Sequence, residues 1–123
     1  MKRISLFLGS AALAGGCWAA EVPQSATELG CLNCHALDHK NVGPSWMDIA
    51  KRYRSRRNDP ALLEQLVKNV SNGSQESWGN IPMVGNDPAG KKRARIVEVV
   101  KYILSVPDQA PETKRPPETK RKK

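Results

Sequence analysis

At 123 residues, with a formal net charge of +8, the chain has room for one small domain. Its single Phe is Phe7, and past residue 20 the large rings are only Trp46, Tyr53, Trp78 and Tyr102. So few rings in so short a chain struggle to bury enough apolar surface unaided, which calls for something besides side chains in the core.

The first residues read as a secretory signal. Met1-Lys2-Arg3 is a basic start, Ile4 to Ala14 is an apolar run, and Gly15-Gly16-Cys17 is a small-residue exit. The run is too short to span a bilayer as a stable helix. Cleavage after Ala19 leaves Cys17 and Ala19 at the two small-residue positions. The alternative is a lipoprotein-like box, Ala14-Gly15-Gly16-Cys17, in which Cys17 is lipidated and anchors the chain to a membrane. Losing Cys17 with the signal leaves Cys31 and Cys34 and no stray thiol, which favours the soluble form. The expected organisation is a signal at 1–19, a domain at 20–106 and a tail at 107–123. In a bacterium this means the periplasm, where nucleic acid is a poor candidate partner.

Ser25 and Glu28 form a Ser-x-x-Glu capping box, which predicts a helix running into Cys31-Leu32-Asn33-Cys34-His35. C-x-x-C-H is the spacing for covalent haem attachment. Residues three apart share a helical face, so two thiols can meet the two vinyl groups of one flat macrocycle. His35 can then offer a ring nitrogen to the iron. Other readings exist. A thiol redox pair wants a βαβ setting, while these flanks read as helical. A zinc site of Cys31, Cys34, His35 and His39 lacks a second ligand pair, since these are the only two histidines. A plain disulfide is the blandest reading. A buried haem would supply the missing apolar core.

Ser45 predicts the start of a second helix, with Trp46, Ile49, Ala50 and Tyr53 on one face. Asp59-Pro60 is a cap followed by proline at the first helical position, and Leu62, Leu63, Leu66, Val67 and Val70 recur at helical spacing. A last helix is expected between about Pro88 and Val106, with a stripe of Ile96, Val97, Val100, Ile103 and Leu104 ended by Pro107. The β-branched Val97, Val99 and Val100 make a strand the alternative there. Of the methionines, Met47 lies 12 residues past His35 and Met83 lies 48 past it, far enough to wrap to the other face of a haem. Either could be core filler. Beyond Val106 only Ala110 is apolar, Pro-Glu-Thr-Lys-Arg occurs twice, and six basic residues face three acidic ones, so a disordered basic tail is expected.

Taken in order, Gly30-Cys31-Leu32-Asn33-Cys34-His35-Ala36, Val42-Gly43-Pro44, Asn72-Gly73-Ser74, Trp78 and Ile81-Pro82-Met83 resemble the landmarks of the short single-haem class I cytochromes c of bacteria. The resemblance runs from about Glu21 to Ser105. It implies a small all-α fold of about four helices around one covalent haem c, with export and electron transfer. It implies thioether links at Cys31 and Cys34 and an axial pair of His35 and Met83. It further implies that Pro44 carbonyl accepts from His35 Nδ1–H, that Trp78 N–H points to a haem propionate, and that Asn86 sits near the methionine sulfur. The chain departs from the pattern at Asn80 and at Val84-Gly85, where relatives often carry prolines, so the Met83 loop is expected to be looser. The basic run from Lys51 to Arg57 and the tail are also unusual. The implied function is an exported one-electron carrier, or an electron-accepting subunit, between respiratory redox proteins. Basic residues at 51–57, 91–95 and 114–123 would steer docking to acidic partners. The alternative is a small haem peroxidase or a redox or gas sensor, should Met83 leave the iron readily.

Overall fold

The computed structural model describes residues 21–107. The expected signal, the Cys17 alternative and the tail past Pro107 lie outside the described residues. Helix α1 is short, Gln24–Glu28, and begins behind Pro23. The capping box expected of Ser25 and Glu28 does not form. Ser25 is already inside the helix and buried, and its hydroxyl instead donates to Glu98 Oε2 at 2.6 Å, 73 residues away. Nor does α1 continue through the cysteines. It stops at Glu28, Gly30 turns with φ 72°, and Cys31–Asn33 form a 3-10 turn.

Helix α2, Trp46–Arg52, starts where its cap predicts, because Ser45 Oγ accepts the Asp48 N–H at 3.0 Å. Helix α3, Pro60–Asn72, is capped by Asp59, whose Oδ1 accepts the Ala61 N–H at 2.9 Å. Helix α4, Arg93–Ser105, starts later than expected. Asp87 explains the delay: its carboxylate accepts the N–H groups of Lys91 at 3.0 Å and Lys92 at 2.6 Å, which organises a turn before the helix. The β-branched valines stay helical, since Val99 and Val100 are both buried on one packed face.

The core lies where α1, α2 and α3 meet α4. Ala26, Leu29, Trp46, Leu62, Val67, Ile96, Val99, Val100 and Leu104 form one buried cluster. Each fully buried side chain such as Leu62 or Ile96 contributes roughly 1.5–3 kcal/mol over leaving it in water. Trp46 meets Tyr102 edge to face, with centroids 5.7 Å apart. At the rim, Arg93 forks onto Glu64 at 2.6 and 2.7 Å, and Arg95 pairs with Glu28 at 3.2 Å. Both pairs are exposed and worth only about 0–1 kcal/mol each. Among the described residues no helix is long and apolar enough to cross a membrane.

One element was not expected. Strands β1, Gly73–Ser74, and β2, Met83–Val84, pair antiparallel, with Gly73 opposite Val84 and Ser74 opposite Met83. The pair ties the Met83 segment to the end of α3 and closes the loop at 75–82.

Candidate cofactor site

The site is built on the short turn that follows α1. Cys31 is half-buried, Cys34 is exposed, and both are free thiols. Burial pushes the Cys31 thiol above its ordinary value; its own backbone pulls the other way, and the neighbouring Cys34 adds to the rise. His35 N–H donates to Cys31 O at 3.0 Å, so the histidine backbone is fixed to the same turn.

The His35 ring is held by the loop that leads into α2. Its Nδ1 lies 2.8 Å from Pro44 O. A carbonyl can only accept, so Nδ1 carries the proton and Nε2 keeps the lone pair that a metal needs. Gly43 packs directly on that ring. A Cβ at Gly43 would lie 2.5 Å from His35 Cε1 and 2.9 Å from Nδ1, so only glycine leaves room. Backbone bonds hold the loop against the turn: Gly43 N–H donates to Cys34 O at 2.8 Å, Trp46 N–H to Ala36 O at 2.9 Å, and Met47 N–H to Leu37 O at 3.0 Å. Val42-Gly43-Pro44 was legible in the sequence as a landmark, but the steric role of Gly43 was not.

Met83 and Met47 are both half-buried, so burial does not separate them. Position does. Met47 is the second residue of α2, whereas Met83 opens β2 at the exit of the 75–82 loop. Asn86 then joins the two halves of the site. Its backbone N–H donates to Val70 O at 2.9 Å, and its Nδ2 donates to Leu29 O at 2.7 Å, two residues before Cys31. Among the described residues this is the only side-chain hydrogen bond that Asn86 makes. Its Oδ1 is buried without a partner. Gly73 permits the return of the Met83 strand, since a Cβ there would meet Met83 O at 2.7 Å.

Trp78 lies in the loop, 36% exposed. Arg52 reaches it from the end of α2, with its guanidinium carbon 4.4 Å from the indole centroid. The same group donates from Nη1 to Ser77 O at 2.6 Å. No sequence signal singled out Arg52 from its basic run.

These residues fit a covalently attached haem. Two free thiols sit three residues apart, a neighbouring imidazole is fixed as the Nδ1–H tautomer, and glycine leaves the ring its space. Leu32, Val42, Ile81 and Val84, which lie in or next to the motif, the Pro44 loop and Met83 in the sequence, are all exposed apolar side chains, the kind that an apolar macrocycle could cover. Zinc fits less well, because among the described residues no group of three or more His, Cys, Asp or Glu is placed to hold a metal ion.

No family model matches the chain. The chain is 40% identical over 102 residues to cytochrome c-551 of Pseudomonas aeruginosa, a match covering 83% of this chain and 92% of that protein. It is 33% identical over 106 residues to cytochrome c-552 of Hydrogenobacter thermophilus, covering 86% of this chain and 99% of that protein. The crystal structure of wild-type Nitrosomonas europaea cytochrome c552 superposes with a TM-score of 0.59 at 29% identity, covering 68% of this chain and 96% of that one.

Proposed function

The chain belongs to the small class I c-type cytochromes, and from that premise we propose that it is an exported one-electron carrier, with His35 and Met83 as axial ligands of one covalent haem c. The observation that carries this reading is the His35 Nδ1 to Pro44 O bond of 2.8 Å beside the two thiols of a C-x-x-C-H turn.

The haem supplies a one-electron exchange between ferric and ferrous iron. The rest belongs to the protein. Cys31 and Cys34 would hold the macrocycle through thioether links, formed by adding each S–H across a vinyl group, so that it could not dissociate. Pro44 carbonyl, by accepting from Nδ1–H, makes the His35 imidazole a stronger donor and fixes its orientation. The Met83 thioether would be a soft ligand, favouring the ferrous state and raising the potential above that of two nitrogen ligands. With His35 and Met83 both bound, the iron would keep no open position for a substrate. That favours a carrier over a peroxidase or a sensor. Trp78 N–H would donate to a haem propionate, and Asn86, tied to Leu29 O, would sit near the Met83 sulfur.

Donor and acceptor are redox proteins, with acidic docking surfaces. Local pairing trims the basic runs that would meet them. Arg56 is paired with Asp59, Arg93 with Glu64 and Arg95 with Glu28. Lys91 and Lys92 carry most of the remaining charge of the second run. The place of work is the periplasm, with the soluble form favoured over lipidation at Cys17.

The test uses the holoprotein. Its mass should exceed the polypeptide by one haem, and acid-acetone should extract none. The ferric form should show the weak far-red band of methionine ligation and resist peroxide. Met83→Ala should abolish the band and admit cyanide, whereas Met47→Leu should do neither. Extractable haem, or a band lost in Met47→Leu and kept in Met83→Ala, would sink the assignment.

A further inference from the structure

The loop that delivers Met83 has little of its own to hold it. Residues 75–82 are tied at their ends by the Gly73–Val84 and Ser74–Met83 pairs. Inside, the only side-chain hydrogen bond is Ser77 Oγ donating to Gln75 O at a long 3.5 Å. Glu76 takes φ 57°, a left-handed conformation that a residue with a Cβ adopts at a cost. Burial adds little, because Ile81 is 63% exposed. Asn80 brings no ring to stiffen the backbone, and Pro82 is the only residue of the loop that does.

One side chain reaches this loop from elsewhere in the fold. Arg52 Nη1 donates to Ser77 O at 2.6 Å, and its guanidinium stacks over the neighbouring Trp78 ring at 4.4 Å. Among the described residues no other side-chain hydrogen bond enters the loop from outside. The anchor is firm at its other end. Arg52 is the last residue of α2, which Ser45 caps and which Trp46, 1% exposed, fixes in the core. The guanidinium also lies 5.8 Å from the ring centroid of Tyr53, a longer contact than the one it makes with Trp78.

We propose that Arg52 is a positioning residue for the Met83 ligand loop. It clamps two consecutive residues, a carbonyl and an aromatic face, with one planar group. A lysine could meet one of these but not both with the same geometry. Holding Ser77 and Trp78 in place makes it rarer for the loop to swing away, and that motion must precede exchange of Met83 for another ligand. The proposal rests on Met83 as the axial ligand.

The experiment compares ferric wild type with Arg52→Met, Arg52→Lys, Trp78→Leu and the Arg52→Met/Trp78→Leu double variant. The readouts are the rate of cyanide binding under native conditions, the pH at which the far-red band is lost, and global unfolding by denaturant. Arg52→Met should speed cyanide binding by roughly three- to tenfold, the scale of one exposed charge-assisted bond plus one cation–π contact. It should also lower the pH of band loss, and both effects should exceed what the change in global stability accounts for. Arg52→Lys should fall between it and wild type. In the Trp78→Leu background, removal of Arg52 should matter less, because half of the clamp is already gone. Arg56→Met is the control: it breaks an exposed pair with Asp59, away from the loop, and should leave the cyanide rate unchanged. A band present in wild type, with Arg52→Met at the wild-type cyanide rate and band-loss pH, would overturn this proposal alone. So would strictly additive effects in the double variant. Absence of the band in wild type would overturn the Met83 reading, and this proposal with it.

Discussion

Gly43→Ala is the sharpest perturbation the site offers. The added Cβ would stand 2.5 Å from His35 Cε1, 2.9 Å from Nδ1 and 3.1 Å from Nε2. Carbon atoms in comfortable contact are about 3.5–4.0 Å apart, so the ring or the loop must shift by about 1 Å. Neither moves freely. The ring is tethered through Nδ1 to Pro44 O at 2.8 Å, and the loop through Gly43 N–H to Cys34 O at 2.8 Å. Overpacking of this kind costs about 1–3 kcal/mol, and breaking one of those hydrogen bonds adds about 1 kcal/mol. A loss of roughly 2–4 kcal/mol should therefore appear as a lower denaturant midpoint for the ferric holoprotein. The potential gives a second, independent reading. A weakened Nδ1–H to carbonyl bond makes the imidazole a poorer donor, which destabilises the ferric state and raises the potential. A variant with wild-type midpoint and wild-type potential would show that Gly43 does not set the His35 ring, and the steric reasoning would fail.

Two further outcomes are expected. The Asp59 carboxyl is held below its ordinary value, first by the hydrogen bond from Arg56 and then by the Ala61 N–H. Its contribution is thus fully present above the usual carboxylate range and is lost as pH falls through the lowered folded value. Melting temperatures of wild type and Asp59→Asn should differ most near neutrality and converge in acid; a gap that widens in acid would contradict that sign. Removing residues 108–123 should leave the melting temperature and haem spectrum unchanged, since the segment has no apolar anchor beyond Ala110. If the tail steers docking, truncation should slow electron transfer with an acidic redox partner most at low salt, because screening shortens to about 8 Å at physiological ionic strength. Identical rates and salt slopes would leave it no docking role.

What was legible in the sequence had local causes. Ser45 and Asp59-Pro60 announce α2 and α3 because a cap acts within its own turn. The stripe from Ile96 to Leu104 announces α4 because burial on one face repeats at the helical period. The C-x-x-C-H turn was legible because its chemistry needs those residue types side by side. What escaped notice was decided across the fold. Ser25 reads as a cap, yet Glu98 on α4 competes for its hydroxyl and wins. The C-x-x-C-H segment reads as helix, yet Gly30 redirects the chain into a 3-10 turn. Two-residue strands are too short to show any alternation, and their pairing depends on Gly73 lying close against Met83 O. Arg52 is one cation in a basic run until Trp78, 26 positions later, is brought beneath it. The two sides of the candidate haem site therefore differ in kind. The histidine side is written within fourteen residues, Cys31 to Pro44, and is closed by backbone bonds at short range. The methionine side is assembled from α1, α2, α3 and the hairpin, through Asn86 to Leu29 and Arg52 to Ser77. Met83, the proposed second ligand, is therefore the one whose release a distant substitution such as Arg52→Met should change, whereas the His35 side should answer to changes within its own loop, such as Gly43→Ala.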